Sequence, residues 1–128
     1  MGYNVSQVAT QLRIPLAGQR AAREAIAAEA KREKFRWVET SDILKRRSLV
    51  QVLDECRWAS EIDEKGCIDH LTFLAEKLGD EERLFQVIAP WVEAGSFIEM
   101  LGEEGDHWRW TFDGEKMTMF QGVGTWPI

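Results

Sequence analysis

The hydrophobic pattern of this chain switches period several times, from two to about 3.6 and back, and it ends in closely spaced alternating runs. That ending constrains the fold most. Segments 96–101, 107–112 and 115–120 each alternate, separated first by Gly102-Glu103-Glu104-Gly105-Asp106 and then by Asp113-Gly114. Asp-Gly between two such runs marks a tight hairpin, because glycine supplies the positive φ the turn needs. Three strands joined this closely pair antiparallel. On 107–112 the period of two puts Trp108, Trp110 and Phe112 on one face and His107, Arg109 and Thr111 on the other. The aromatic face reads as core beneath a helix at 81–92.

Upstream, residues 3–14 read as a strand with Val8, Thr10, Leu12 and Ile14 on one face, stopped by Pro15. Residues 16–34 are rich in Ala, Arg, Glu and Lys, and carry a thin apolar stripe of Ala22, Ala25, Ile26 and Ala30, which predicts a helix. Phe35, Trp37 and Val38 form a connector or brief strand. Thr40-Ser41-Asp42 reads as an N-cap cluster for a helix at 42–57 that buries Leu49, Val52, Leu53 and Cys56. Two strands, 58–62 and 67–74, flank the turn Asp63-Glu64-Lys65-Gly66. Asp80 is the expected N-cap of the next helix, with Glu81 and Glu82 at the positive end of its dipole, and Pro90 kinks or ends it. Gly122, Gly124 and Pro127 predict an irregular end pinned by Trp126.

The order β–α–(α)–β–β–α–β–β–β predicts one domain over residues 1–128 with an α+β fold. The expected form is a two-layer sandwich: an antiparallel sheet with helices on one face, a ferredoxin-like core and an extra N-terminal helical insertion. Six Trp and six Phe make a core attainable without disulfides. Cys56 and Cys67 lack a metal-type spacing and read as free, partly buried thiols. No secretory leader and no run of about 18 apolar residues is seen. A cytoplasmic protein without membrane contact is the expectation.

The net charge of −6 is unevenly spread. Residues 1–58 hold 11 Lys/Arg against 7 Asp/Glu, a balance of +4; residues 59–128 hold 5 against 15, a balance of −10. Such asymmetry shapes long-range fields and the choice of partner.

The run 95–112 (GSFIEMLGEEGDHWRWTF) resembles a group of small uncharacterised bacterial and phage proteins sharing the pattern G-S-[FY]-I-E-x-x-G-E-[DE]-G-x-x-W-R-[WY]-x-F. Met1-Gly2-Tyr3 and Leu78-Gly79-Asp80-Glu81-Glu82 are also similar to that group. The likeness covers about a third of the chain, and 17–47 departs from it as an insertion. It implies a compact α+β domain of mobile-element origin and carries no activity.

Three sets of residues are candidates for function. Asp80, Glu81, Glu82, Glu103, Glu104 and Asp106 form an acidic set that suits a basic partner. Glu99, His107 and Arg109 form a polar set on the open sheet face, where an Arg can hold a carboxylate or phosphate; the plainer reading is a cross-strand Glu99–Arg109 pair. Arg20, Arg23, Lys31, Arg32, Lys45, Arg46 and Arg47 form a basic set that suits nucleic acid, with Phe35 and Trp37 placed to stack. His70 and His107 lack the partners of a catalytic or zinc motif. Neither a metal site nor a cofactor is expected. The leading expectation is a non-enzymatic protein-interaction module, an inhibitor or accessory protein using the acidic face. Nucleic-acid binding through 20–47 and ligand binding or catalysis on the sheet face are the alternatives. An open sheet face also allows a homodimer.

Overall fold

The computed structural model describes residues 3–122, so Trp126, Gly124, Pro127 and the Met1-Gly2 pair lie outside the described residues. The elements are β1 (Val5–Gln11), α1 (Leu16–Arg32), α2 (Thr40–Leu44), α3 (Leu49–Glu55), β2 (Trp58–Ile62), β3 (Ile68–Phe73), α4 (Glu81–Ile88), a 3-10 turn (Ala89–Trp91), β4 (Phe97–Gly102), β5 (His107–Phe112) and β6 (Met117–Gln121). The fold is an α+β sandwich, as the alternation of periods predicts.

The strands form two antiparallel sheets, β1-β4-β5-β6 and β2-β3. A seam joins them. Ile14 and Ile68 exchange backbone hydrogen bonds at 2.8 and 3.0 Å, and the Val5 amide donates to the Glu76 carbonyl at 2.7 Å. Both contacts set β3 antiparallel along the free edge of β1. The spatial order is therefore β2-β3-β1-β4-β5-β6. β3 lies between the two strands that α1–α3 connect, and β1 lies between the two that α4 connects. That is the split β-α-β arrangement of a ferredoxin-like core, with β5 and β6 added at one side.

Between its two ends the seam has no regular ladder, and the Gln7 side chain replaces it. Its amide nitrogen donates to the Leu71 carbonyl at 2.7 Å, its carbonyl accepts from the Phe73 amide at 2.8 Å, and it also donates to Thr10 Oγ1. The cause is a β-bulge: the register of β1 on β4 shifts between Gln7 and Ala9. A bulged strand bends and loses its regular pairing. The bulge also corrects the face expected for Val8, which the extra residue turns outward to 50% exposure while Leu12 and Ile14 stay buried.

The core lies between this surface and the helices. Phe85 of α4 packs against Trp58 and Trp110 at ring separations of 5.2 and 5.1 Å. Trp108, Trp110 and Phe112 face the core, as their alternation requires. The small stripe of Ala22, Ile26 and Ala30 is buried on α1, which packs on α4. Gly18 lets α1 meet Trp91, because a Cβ there would stand 3.1 Å from the ring.

The single helix expected at 42–57 is instead two. Ser48 accepts from the Gln51 amide and the Gln51 side chain accepts from the Ser48 amide, a capping box that starts α3 afresh. Lys45-Arg46-Arg47 is left as the link between α2 and α3. Asp80 occupies the N-cap position of α4, but its carboxylate binds Arg36, accepting from the backbone amide at 2.8 Å and from Nε at 2.9 Å. It clips the connector after α1 onto α4. The four-residue turn at 63–66 forms as expected, with Gly66 at φ 85°.

Gln7→Ala strands the Phe73 N–H and the Leu71 carbonyl in a part-buried seam. An unsatisfied group of this kind costs about 1–3 kcal/mol, and urea unfolding should show a loss of that size. A variant as stable as the wild type would contradict the bridging role.

Candidate functional site

Five cations gather where α1 meets the α2–α3 link. Arg20 and Arg23, three residues apart, share one face near the start of α1. The helix break adds Lys45, Arg46 and Arg47 opposite them. These five cations line a groove of about 620 Å³ together with Leu16, Gln19, Leu44, Ser48 and Leu49, and no carboxylate lines it. The Arg23 guanidinium donates to the Arg46 carbonyl at 3.1 Å, which fixes one wall against the other. Arg46 is held by Glu55 of α3 through Nε at 2.8 Å. Arg20 pairs with Glu24 at 3.3 Å and Lys45 with Asp42 at 3.9 Å, both on exposed side chains. Exposed pairs contribute about 0–1 kcal/mol, so an incoming anion displaces them cheaply.

The groove takes in five of the seven basic residues singled out from the sequence. Lys31 and Arg32 are absent from it, since about 1.5 Å of rise per residue puts Arg32 roughly 18 Å along α1 from Arg20. Arg32 is bound by Glu29 at 3.0 and 2.7 Å. The Arg32 and Arg83 guanidinium groups hold the Glu29 carboxyl down at about 2. The stacking role expected of Phe35 is corrected. Phe35 is fully buried, edge-on to Trp37 at 5.3 Å with the Arg83 guanidinium 4.1 Å over its ring.

The acidic residues do not form one exposed face. Glu81 is 1% exposed. Its carboxylate accepts from the Trp58 indole at 3.2 Å and lies 3.6 Å from the Arg57 guanidinium. Burial pushes the Glu81 pKa up, against the Gly79 amide, the Trp58 indole and Arg57. Asp80 is committed to Arg36. In the β4–β5 turn, Glu103 accepts from the Asn4 amide at 3.0 Å and Asp106 accepts from the Tyr3 hydroxyl at 2.8 Å, so these carboxylates tie down the start of β1. Glu82 and Glu104 complete the set, and both are exposed.

Glu99, His107 and Arg109 do come together. The β4–β5 register sets Glu99 opposite Arg109, with Oε1 accepting at 2.7 Å, and Oε2 lies 2.6 Å from His107 Nε2. The Arg109 guanidinium sits 3.9 Å over the Phe97 ring. Burial raises the Glu99 pKa, but the bonds from Arg109 and His107 outweigh it, and the net shift is downward. The carboxylate is thus held ionised by its own strand neighbours. These three residues line neither the cationic groove nor the cavity beside Trp108 and Trp110. The trio reads as a structural cross-strand network.

Two features had no signal in the sequence. One is the setting of Arg57, at φ 73° after α3, with its guanidinium over the Trp37 and Phe73 rings at 5.6 and 6.0 Å. The other is a cavity bounded by Trp108, Trp110 and the loop before α4. Both depend on residues far apart in the chain. Cys56 and Cys67 are free and buried, and burial pushes the Cys56 thiol up to about 12. Among the described residues no cluster of His, Cys, Asp and Glu could hold a metal ion, and no helix is long and apolar enough to cross a membrane. No family model, curated protein or solved structure matches this chain.

Because the folded pKa of Glu81 lies above its ordinary value, the native state binds more protons than the unfolded chain between those two values. Stability from this group therefore rises as pH falls through that window. The stability of wild type relative to Glu81→Gln should grow as pH is lowered from neutrality toward the ordinary glutamate range. A pH-independent difference in urea unfolding would contradict the buried setting.

Proposed function

We propose that the protein is a non-enzymatic nucleic-acid-binding module that grips a phosphodiester backbone in the groove between α1 and the α2–α3 link. The observation that supports this reading is the convergence of Arg20, Arg23, Lys45, Arg46 and Arg47 on one groove with no carboxylate in its lining. Arginine presents a planar fork that matches phosphate oxygens, and four of the five cations have exposed side chains or lie in a link shaped by the capping box. A net charge of −6 opposes polyanions at long range. Screening limits that repulsion to about 10 Å at 0.1 M salt, so the local field decides once contact is made.

Recognition of this kind is of the backbone. No aromatic ring lines the groove, and Phe35 is wholly buried. Affinity should then be electrostatic and weakly dependent on sequence. This reading takes precedence over docking through the acidic residues because Asp80, Glu81, Glu103 and Asp106 already bind partners within the chain.

Fluorescence anisotropy with a single-stranded oligonucleotide across a salt series tests the proposal. Five phosphate contacts on a single strand give a slope of log K against log salt of about −3.5. Charge reversal at Arg20 and Arg47 should weaken binding more than tenfold at low salt and flatten the slope by about 0.7 per lost contact. Charge reversal at Glu103 and Glu104 should not weaken it. Absence of binding at low salt, or a slope near zero, would remove the reading.

A further inference from the structure

The cationic groove is not wholly polar. Seven large hydrophobic side chains are exposed among the described residues, and two of them, Leu16 at 57% and Leu44 at 43%, line this groove beside the five cations. Apolar side chains scattered singly over a surface need no explanation, but two in one concavity give it a second chemistry. Their placing is regular. Leu16, Arg20 and Arg23 stand at i, i+4 and i+7 along α1 and so share one of its faces. On the other wall Leu44 is the last residue of α2, followed directly by Lys45, Arg46 and Arg47.

Leu16 is also held in place. A Cβ on Gly66 would stand 3.2 Å from Leu16 Cδ2, so the 63–66 turn packs against this side chain. The Gln19 amide donates to the Ile14 and Gly66 carbonyls at 3.1 and 2.9 Å and ties the start of α1 to the same turn. The apolar part of the wall is therefore as preorganised as the charged part.

Phosphates engage the cations and leave the leucines unused. In a duplex the base faces are stacked on one another, and the base edges are reached by an element that enters a groove of the nucleic acid. Here the leucines lie inside a concavity and not on a projecting element, so they do not follow a duplex inward. A single strand differs, because its bases can splay out and turn toward the protein while its phosphates stay on the cations. A base face set against leucine leaves water and contributes through the hydrophobic effect. The guanidinium planes beside the leucines offer the same bases a second flat surface.

We propose that the groove selects single-stranded over double-stranded nucleic acid, with Leu16 and Leu44 contacting unstacked bases while the five cations hold the phosphates. This inference rests on the phosphodiester reading of the same groove and adds the class of strand to it. The contact is with ring faces, which every base has, so it tolerates any sequence.

Fluorescence anisotropy over a salt series gives the test, with three ligands of equal phosphate number: an oligodeoxythymidylate, its abasic counterpart made of tetrahydrofuran spacers, and a fully paired duplex. The strand that carries bases should bind roughly fivefold more tightly than either of the others at the same salt concentration. Leu16→Asn combined with Leu44→Asn should bring that strand down to the abasic level. The slope of log K against log salt should not change in this double variant, because no phosphate contact is lost. Its affinity for the abasic strand should also match that of the wild type, which shows that the groove is still folded. Equal binding of the base-bearing and abasic strands, a duplex bound as tightly as the single strand, or a double variant that keeps the full preference would overturn this proposal and leave the phosphodiester reading standing. Absence of salt-dependent binding by all three ligands would overturn both.

Discussion

The Gln7 side chain stands where a length of backbone ladder would otherwise run, and the rest of the fold depends on that substitution. The bulge at Val8 bends β1 off β3, and a primary amide spans the gap with one donor and one acceptor pointing at Leu71 and Phe73. Without it the backbone hydrogen bonds between this hairpin region and the main sheet, among the described residues, are those of Ile14–Ile68 and Val5–Glu76. Trp58, which begins β2, packs on Phe85 and Trp110, so the seam also sets the depth of the aromatic core. Glu81 is drawn into that core to meet the Trp58 indole, which is why an acidic residue at the start of α4 is buried. One local irregularity in β1 thus reaches the far side of the molecule through contacts that can each be named.

The cationic groove arises from a comparable interruption. A continuous helix over 42–57 would have spread Lys45, Arg46 and Arg47 around its circumference, about 100° apart. The Ser48–Gln51 capping box ends that continuity and leaves the three in a link facing α1. Arg23 then hydrogen-bonds the link itself, which spends one guanidinium on shape and leaves the groove open. Charge is concentrated by the fold here, whereas several carboxylates of the acidic set serve as clips: Asp80 to Arg36, Glu103 to Asn4, Asp106 to Tyr3.

Much of the fold is legible in the chain because it rests on local periodicity. The aromatic face of 107–112, the 63–66 turn and the buried face of Leu49, Val52, Leu53 and Cys56 all follow from spacing. The Glu99–Arg109 pair follows from hairpin register. The break at Lys45–Ser48 was obscured because Thr40-Ser41-Asp42 offers an earlier and stronger-looking cap, while the box that forms uses a Ser and a Gln three residues apart within an apolar run. The bulge left no glycine to mark it. The burial of Glu81 has no local mark, because an Asp-Glu-Glu triplet at a helix start has the composition of a solvated turn, and the depth of Glu81 is decided by Trp58 and Arg57, more than twenty residues away. The cavity beside Trp108 could not be read from pattern, since its walls come from both ends of the chain.

The proposed binding mode requires that fold geometry, and not overall charge, selects which cations act. Arginine side-chain Nε–H signals, followed by NMR during titration with a single-stranded oligonucleotide, address it directly. In that mode Arg20, Arg23, Arg46 and Arg47 shift together and saturably, while Arg32 and Arg83, both closed onto Glu29, stay in place. Shifts centred on Arg32, Arg36 or Arg83, or spread evenly over every arginine, would contradict it.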